Sequence, residues 1–444
     1  MSHGPASFDN NPAHYVGGER FAKFSRIALA IGGGGLLLAC WLGFRSEDPA
    51  HFARVYLLNF IFVLSLGLGS LLFVMIQRLT RAGWSAALRR PAELIAANLQ
   101  WWWIMFLPFV VLWLAGSKGD GHGMTLASIW PWADLHALAE HNPAEAHVLE
   151  SKSGYLNTNF FFIRAAIYFG LWAILARTML VNSLRQDSAD SDTARAIDVR
   201  LQKWSAFGVI SFGLTITFAA FDWMMSLSPA WFSTMFGVYF FAAICAGGYS
   251  FLALIVLRLR QLGLLSAVVT SEHLQDLGKM IFAFGVVFWA YIAFSQYMLI
   301  WYASIPEETT WFLARQIGGW GPLSFALIIG HFVIPFVFLI SRWVKRWPVS
   351  LAVGALWMLA FHWIDLYWLI MPVIPPDVGS YSTYGALAEA YSATPTRLGD
   401  PLNYLMLVGM LGLFAAVSLR RLSKRPALAV HDPRLPESLR FQNI

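Results

Sequence analysis

The sequence predicts an all-α, polytopic membrane protein with ten transmembrane helices, and three observations predict it. Of 444 residues, 58% are hydrophobic and 13% charged, about half the charged share of a soluble domain. The apolar residues fall into blocks of about twenty or more, and at about 1.5 Å per helical residue each block can cross about 30 Å of hydrocarbon. The basic residues gather in alternate connections between these blocks, as the positive-inside rule requires of a membrane protein. A soluble protein is therefore excluded. The two cysteines, Cys40 and Cys245, both lie inside apolar blocks. No four-cysteine iron-sulfur site, C-x-x-C-H haem attachment or disulfide framework can be written from them. The chain is expected to bind no metal and to carry no covalent cofactor.

The blocks run 24–44, 54–77, 91–115, 155–182, 203–227, 230–257, 275–303, 319–342, 348–371 and 400–420. They divide the chain into a tail 1–23, a transmembrane domain 24–420 and a tail 421–444. Ten crossings place both tails on one side. Of the 31 Lys and Arg, 23 lie in the two tails and the connections on their side, among them Arg78, Arg81, Arg89, Arg90, Arg258, Arg260, Arg342, Lys345 and Arg346. The opposite connections hold six: Arg45, Arg54, Lys118, Lys152, Arg315 and Arg397. Both termini are thus expected in the cytoplasm of a bacterial inner membrane. The pI of 9.3 then reflects topology and contact with anionic membrane lipids rather than nucleic acid, because the charge is dispersed over six segments.

Block one ends at Leu37–Cys40, a faint likeness to a lipoprotein cleavage box, but a retained span is expected after so long a polar tail. Its Gly32–Gly35 run suits close helix packing. Blocks five and six are joined so tightly, at 226–229, that they must form an antiparallel hairpin. The outer connections 116–154 and 372–399 are long. Segment 129–150 mixes Trp130, Trp132, Leu135 and Leu138 with carboxylates at helical spacing, which predicts a short surface helix or a docking face. Most of the 21 tryptophans sit near block ends, where interfacial belts form. Mid-span breaks are expected only at Pro108 and Pro335.

An ionisable side chain in hydrocarbon costs at least about 2.5 kcal/mol, so each one inside a block is a candidate for function. His362 and Asp365 are three apart on block nine and share a face, about 21 and 26 Å from its start at Pro348. Such a pair can hold and pass a proton, or form an interhelical hydrogen bond. His331 lies near mid-depth on block eight, one turn before Pro335, where a freed carbonyl marks a polar spot. Asp276 and Lys279 at the start of block seven form either a path entrance or a helix-start carboxylate with a snorkelling Lys. Glu93, two residues after Pro91, reads as a carboxylate on a helix N-terminus unless a partner is shown, and is with Arg164 a candidate for a structural or path ion pair. Arg164 and Asp222 fall at similar outer depth on neighbouring blocks, as a structural or path ion pair. Gln296 and Tyr297 add neutral polar groups in the outer third, where a quinone head or a water chain could be held. Taken in series, Asp276, Lys279, His331, His362, Asp365 and Asp222 form a candidate transmembrane proton relay.

Several dense strings carry a family likeness. They are Phe221-Asp222-Trp223-Met224-Met225-Ser226-Leu227 with Trp231-Phe232-Ser233-Thr234, and Lys152-Ser153-Gly154-Tyr155-Leu156-Asn157 with Phe161-Phe162-Ile163-Arg164. To these add His273-Leu274-Gln275-Asp276-Leu277-Gly278-Lys279 with Phe294-Ser295-Gln296, Trp301-Tyr302-Ala303 and Pro306-Glu307-Glu308-Thr309. Over about 150–370 the chain resembles the ActF-type integral membrane subunits of bacterial alternative complex III, relatives of the NrfD and polysulfide-reductase membrane subunits. The resemblance implies two four-helix bundles with peripheral helices in a quinol:cytochrome c or quinol:oxidase oxidoreductase. In such an assembly an iron-sulfur subunit, multihaem cytochrome c subunits, a homologous ActC-type membrane subunit and a terminal oxidase are partners. Iron-sulfur clusters and haem c would sit in those partners. This chain would give structural support, a proton path and a contact for quinone or quinol. Two other readings compete. The same polar residues would be the ion site of a secondary proton-coupled transporter, or His331 and His362 the axial ligands of a b-type cytochrome membrane anchor.

Overall fold

The computed structural model describes residues 9–443 apart from 116–123, 142, 376 and 379. Among the described residues all regular structure is helical, with one isolated bridge between Val16 and Pro426. The chain is an all-α polytopic membrane protein. Among the described residues nine helices are long and apolar enough to cross a membrane, and the crossings number ten if the bent pair is one span. They are α1 Gly18–Phe44, α2 Pro49–Leu79, the bent pair α3 Ala86–Ala96 and α4 Leu107–Ala115, α5 Thr158–Gln186, α6 Ser191–Trp223 and α7 Phe236–Gln261. There follow α8 Ser271–Ala303, α9 Trp320–Ile340, α10 Pro348–Ile370 and α11 Pro401–Leu422. The helix α2, apolar on every side, is accordingly buried on every side. Asp48 caps it by accepting from the His51 amide at 2.9 Å, ahead of Pro49.

Two four-helix bundles form around this centre, α2 with the bent pair, α5 and α6, and then α7 to α10. They meet where α2 crosses α7 at Gly69 and Gly248. A Cβ on Gly69 would lie 2.5 Å from the Ile244 carbonyl oxygen and 2.7 Å from Gly248 Cα, so this approach admits no side chain. The hairpin of α1 and α11 packs outside the bundles, backbone to backbone at Gly32 and Gly412. Both tails lie at the same end of the bundles, called here the tail face. Gly17 N donates to the Leu422 carbonyl at 3.0 Å and Ala427 N to that of Tyr15 at 2.9 Å.

Three expectations change. The third block breaks at Trp101 rather than at Pro108. It begins at Ala86, continues as 3₁₀ turns from Ala97, and bends by 44° at Trp101. The Ala97 carbonyl freed at the break finds a donor in Arg421 Nη2 at 2.9 Å, and the Asn98 side chain ties the same turn to α11 by donating from Nδ2 to Ser418 Oγ at 2.6 Å. Secondly, α8 and α9 each contain a π-helical segment, Ile281–Phe288 and Ile328–Val333, so breaks are not confined to prolines. Pro335 has no N–H for the carbonyl four residues earlier, that of His331, and the turn ahead of it widens. Thirdly, segment 129–150 is no free docking face at its aromatic end. Trp130 and Trp132 are buried against Phe161, with ring centroids 5.1 and 5.2 Å away, closing the first bundle at the face opposite the tails. Its helices are Leu135–His141 and Pro143–Lys152.

The tail face is tied by ions. Arg78, Arg89, Arg90 and Glu93 are buried there. Glu93 receives Arg78 at 2.7 Å and Arg90 at 3.3 Å, while Arg90 reaches Asp187 at 2.8 Å and Arg89 reaches Asp432 at 3.0 Å. Glu93 therefore is not a carboxylate on a helix N-terminus, because α3 starts two turns earlier. Its charge is met by arginine side chains, the condition under which a buried carboxylate is tolerated. The segment after α11 closes over this cluster. Ser438 is buried between His273 Nε2 at 2.9 Å and the Trp84 carbonyl at 2.7 Å.

Candidate functional site: a buried carboxyl beside a lipid-facing cleft

The second bundle encloses Asp365. From α10 it points between α7 and α8, where the Tyr239 hydroxyl donates to Oδ1 and the Trp289 indole N–H to Oδ2 at 3.1 Å. Asp365 is fully buried, and among the described residues no basic side chain stands within ion-pairing distance. Two neutral donors thus hold a carboxyl in an apolar bundle, and neither fixes it as an anion in the way an arginine would. The other face of Trp289 is covered by His331, ring on ring at 3.9 Å and 2°. Among the described residues neither nitrogen of His331 makes a hydrogen bond of ordinary geometry, and the backbone of Gly285 and Phe361 lies nearest to the ring. The π segments explain the contact. One immediately precedes Trp289 and the other contains His331, and the added residue in each turns these rings onto one another.

His362 does not pair with Asp365, although they share a helix face. Its Nε2 bonds Ser65 Oγ on α2 at 2.8 Å, and Ser65 Oγ itself donates to the Phe62 carbonyl at 2.6 Å. With the hydroxyl proton so used, the network assigns the ring proton to Nε2. Nδ1 is left buried without a partner. The imidazole also fills the place of a side chain at Gly247, where a Cβ would come within 2.7 Å of Nε2. Of the two histidines that could serve as axial ligands, His331 lies flat on Trp289 and His362 has its Nε2 engaged by Ser65.

The remaining candidates lie elsewhere. Arg164 and Asp222 do pair, at the far end of the first bundle. Arg164 Nε and Nη2 each donate to the carboxylate at 2.8 Å, and the Tyr168 hydroxyl adds a third bond at 2.8 Å. Arg164 also sits between the rings of Tyr155 and Phe160, at 3.9 and 4.3 Å. Three donors thus converge on one carboxylate, in the manner of a structural staple. The aromatic packing of Phe60, Trp102, Phe106, Phe169 and Trp223 fills the bundle behind it. Asp276 and Lys279 pair at 2.7 Å on the tail face, with the Lys side chain 49% exposed, which is the snorkelling geometry. Among the described residues no hydrogen-bonded chain joins them to His331, or Asp222 to Asp365.

Gln296 and Tyr297 stand on the wall of a cleft of about 780 Å³ between α8 and α9. Gln296 is buried and accepts from Ser233 Oγ at 3.1 Å. Tyr297 is exposed and packs edge-on against Phe312, 5.2 Å away. Tyr239 and Trp289, the two donors to Asp365, line the same cleft. Its rim residues Tyr291, Phe294, Phe325 and Ile328 are exposed on the side of the bundle, so the cleft opens toward lipid. At the end away from the tails stands Arg315, which is buried and donates to the carbonyls of Trp311, Trp368 and Leu369 at 2.8, 3.1 and 3.0 Å. It thereby closes the C-terminal end of α10, where carbonyls lack partners.

Sequence reasoning missed Tyr239, Trp289, Ser65 and Arg315 as site residues. Aromatic and hydroxyl residues in an apolar block are indistinguishable from packing, and Arg315 counted only as a loop charge. Among the described residues no three His, Cys, Asp or Glu side chains are grouped to hold a metal ion. In comparisons with known proteins, no family model matches the chain and no curated protein is detectably similar to it.

Proposed function

We propose that the chain is the integral membrane subunit of a quinol-oxidising respiratory complex of the alternative complex III type. It supplies scaffold and a proton-exchanging polar core, while the redox centres reside in partner polypeptides. The observation that carries this reading is Asp365, a fully buried carboxyl held by Tyr239 and Trp289 with no cation beside it. A protein retains so costly a group in lipid where it exchanges a proton. His331, stacked on Trp289, and His362, whose Nδ1 has no hydrogen-bond partner among the described residues, are the neighbouring proton carriers. The family strings and the bundle architecture support the same assignment. The location is a bacterial inner membrane with both tails cytoplasmic, for which the basic bias of the tail-side connections speaks. The partners are an iron-sulfur subunit, multihaem cytochrome c subunits, an ActC-type membrane subunit and a terminal oxidase, with quinol as the electron donor.

The test is purification of the tagged chain from its native membranes in mild detergent. Stoichiometric polypeptides bearing covalent haem and iron-sulfur clusters are expected, and their absence at every detergent strength would refute the assignment. A secondary carrier is the alternative that one observation favours, namely the facing π segments of α8 and α9, since carriers build ion sites at irregular helices. Solute-dependent proton uptake by the chain alone in vesicles would establish it.

A further inference from the structure

We propose that Arg54 is the binding residue of an oxyanion site at the end of the molecule away from the tails, filled by a phosphate or carboxylate group from outside the chain. The site is independent of the respiratory reading above. In the sequence Arg54 stands at the first position of block two and counts as a loop charge, but α2 begins at Pro49. The helix therefore carries this guanidinium within its second turn, part-buried and flanked by buried Phe52, Ala53, Val55 and Tyr56. Other arginines held inside the described protein are compensated. Arg78, Arg89, Arg90 and Arg164 each reach a carboxylate, Arg315 ends on three carbonyls, and Arg421 on the Ala97 carbonyl and the Asn98 amide oxygen.

Arg54 lacks such compensation. Its Nε is buried without a hydrogen-bond partner, and no carboxylate among the described residues stands within ion-pairing distance of it. Asp48 and Asp400, which stand at this end of α2, are already taken. Asp48, whose field reaches Arg54, pairs with Arg397 at 2.7 Å and caps the His51 amide at 2.9 Å. Asp400 pairs with His51 Nε2 at 3.0 Å and accepts from the Leu402 amide at 2.9 Å. Arg315, a second buried guanidinium, lies within electrostatic reach on the inner side. Two like charges so placed in a poorly polarisable interior repel each other, and a carboxylate spent on Arg397 offsets them only in part. A guanidinium in this position takes up an anion. Its planar fork matches the coplanar oxygens of a carboxylate or phosphate and has no such match in a spherical halide.

The full-length chain in maltoside micelles stripped of phospholipid tests this, with tryptophan fluorescence following thermal unfolding in chloride at constant ionic strength. Inorganic phosphate or acetate should raise the wild-type midpoint saturably, as a ligand of the folded state does. Arg54→Met removes the uncompensated charge and keeps an apolar stem, so it should start at a higher midpoint than wild type and respond to neither anion. Arg54→Lys should respond only at concentrations about tenfold higher, because a point charge replaces the fork. Phosphatidylglycerol added to the same micelles separates the sources. A shift with the lipid and none with soluble anions assigns the site to a headgroup, and a shift with phosphate or acetate assigns it to solutes. Phenylglyoxal modification of the wild-type chain, read by peptide mass spectrometry, needs no variant. The anion that raises the midpoint should slow modification at Arg54 and leave exposed Arg45 unchanged. A wild-type midpoint indifferent to all three additions, an Arg54→Met chain that starts lower or responds as wild type does, or equal protection of Arg45 and Arg54 would overturn the proposal.

Discussion

The Arg164–Asp222 pair gives the sharpest energetic prediction, because the structure fixes every partner that a substitution would strand. Asp222→Ala leaves Arg164 Nε and Nη2 and the Tyr168 hydroxyl without the carboxylate that receives all three at 2.8 Å. Breaking a buried pair from one side costs about 3–5 kcal/mol, since an uncompensated charge remains. Arg164→Met alone strands Asp222 in the same way, apart from the Tyr168 bond, and also loses the contacts with Tyr155 and Phe160, worth about 1 kcal/mol. The double variant Arg164→Met with Asp222→Leu removes both charges, and apolar replacement of a buried pair is often neutral. It should therefore be far more stable than the sum of the single losses, with a coupling energy of at least about 2 kcal/mol. Reversible unfolding in mixed micelles, followed by tryptophan fluorescence, measures all four corners of the cycle. Additive losses, or an Asp222→Ala cost under about 1 kcal/mol, would refute the staple and restore Asp222 to the list of proton carriers.

Three further predictions follow from other parts of the molecule. Asp365→Asn keeps the shape and one acceptor for Tyr239 or Trp289, so assembly should persist while proton coupling falls; an unchanged proton-to-electron ratio in the reconstituted complex would exclude Asp365 from the path. Gly69→Ala should cost about 1–3 kcal/mol through overpacking against Ile244 and Gly248, whereas Gly33→Ala, with nothing within 4 Å, should be neutral in the same unfolding assay. In the connection between α10 and α11, hydrogen bonding from Tyr391 holds the exposed Asp377 carboxyl below the usual carboxylate range and pushes the phenol up to about 12. Because the folded value of Asp377 is depressed, its contribution is present above the ordinary carboxylate range and lost on acidification through the folded value. Amide exchange, corrected for intrinsic rates, should therefore rise around 384–391 in acid, and Asp377→Asn should abolish that dependence.

The crossings were legible because hydrocarbon leaves a coarse signature: blocks of sufficient length, and basic residues at alternate ends. The Arg164–Asp222 pair was legible for a related reason, since two opposite charges at equal depth on adjacent helices have little else to meet. The bend at Trp101 was not, because the break that 91–115 shows in sequence is Pro108, seven residues further on, and Arg421, which donates to the freed Ala97 carbonyl, lies more than 300 residues away. His362 and Asp365 show the limit of periodicity. Spacing places them on one face, but the partners of each come from α2, α7 and α8, and one helical turn suffices to send two side chains to different neighbours. The His331–Trp289 stack depends on two π segments, of which only the one before Pro335 leaves a trace in the sequence.

The contact between Arg89 and Asp432 spans 343 residues, and this separation bears on biogenesis. Helices α2 and α3 emerge from the ribosome early, with a guanidinium whose counter-ion has yet to be translated. Until residues 426–440 arrive and cover the tail face, that guanidinium has Asp198 at 3.9 Å but lacks Asp432, and the first bundle stays uncovered at this end. Closure is thus a late event in maturation. Chains halted before Asp432 would display an open, arginine-lined end.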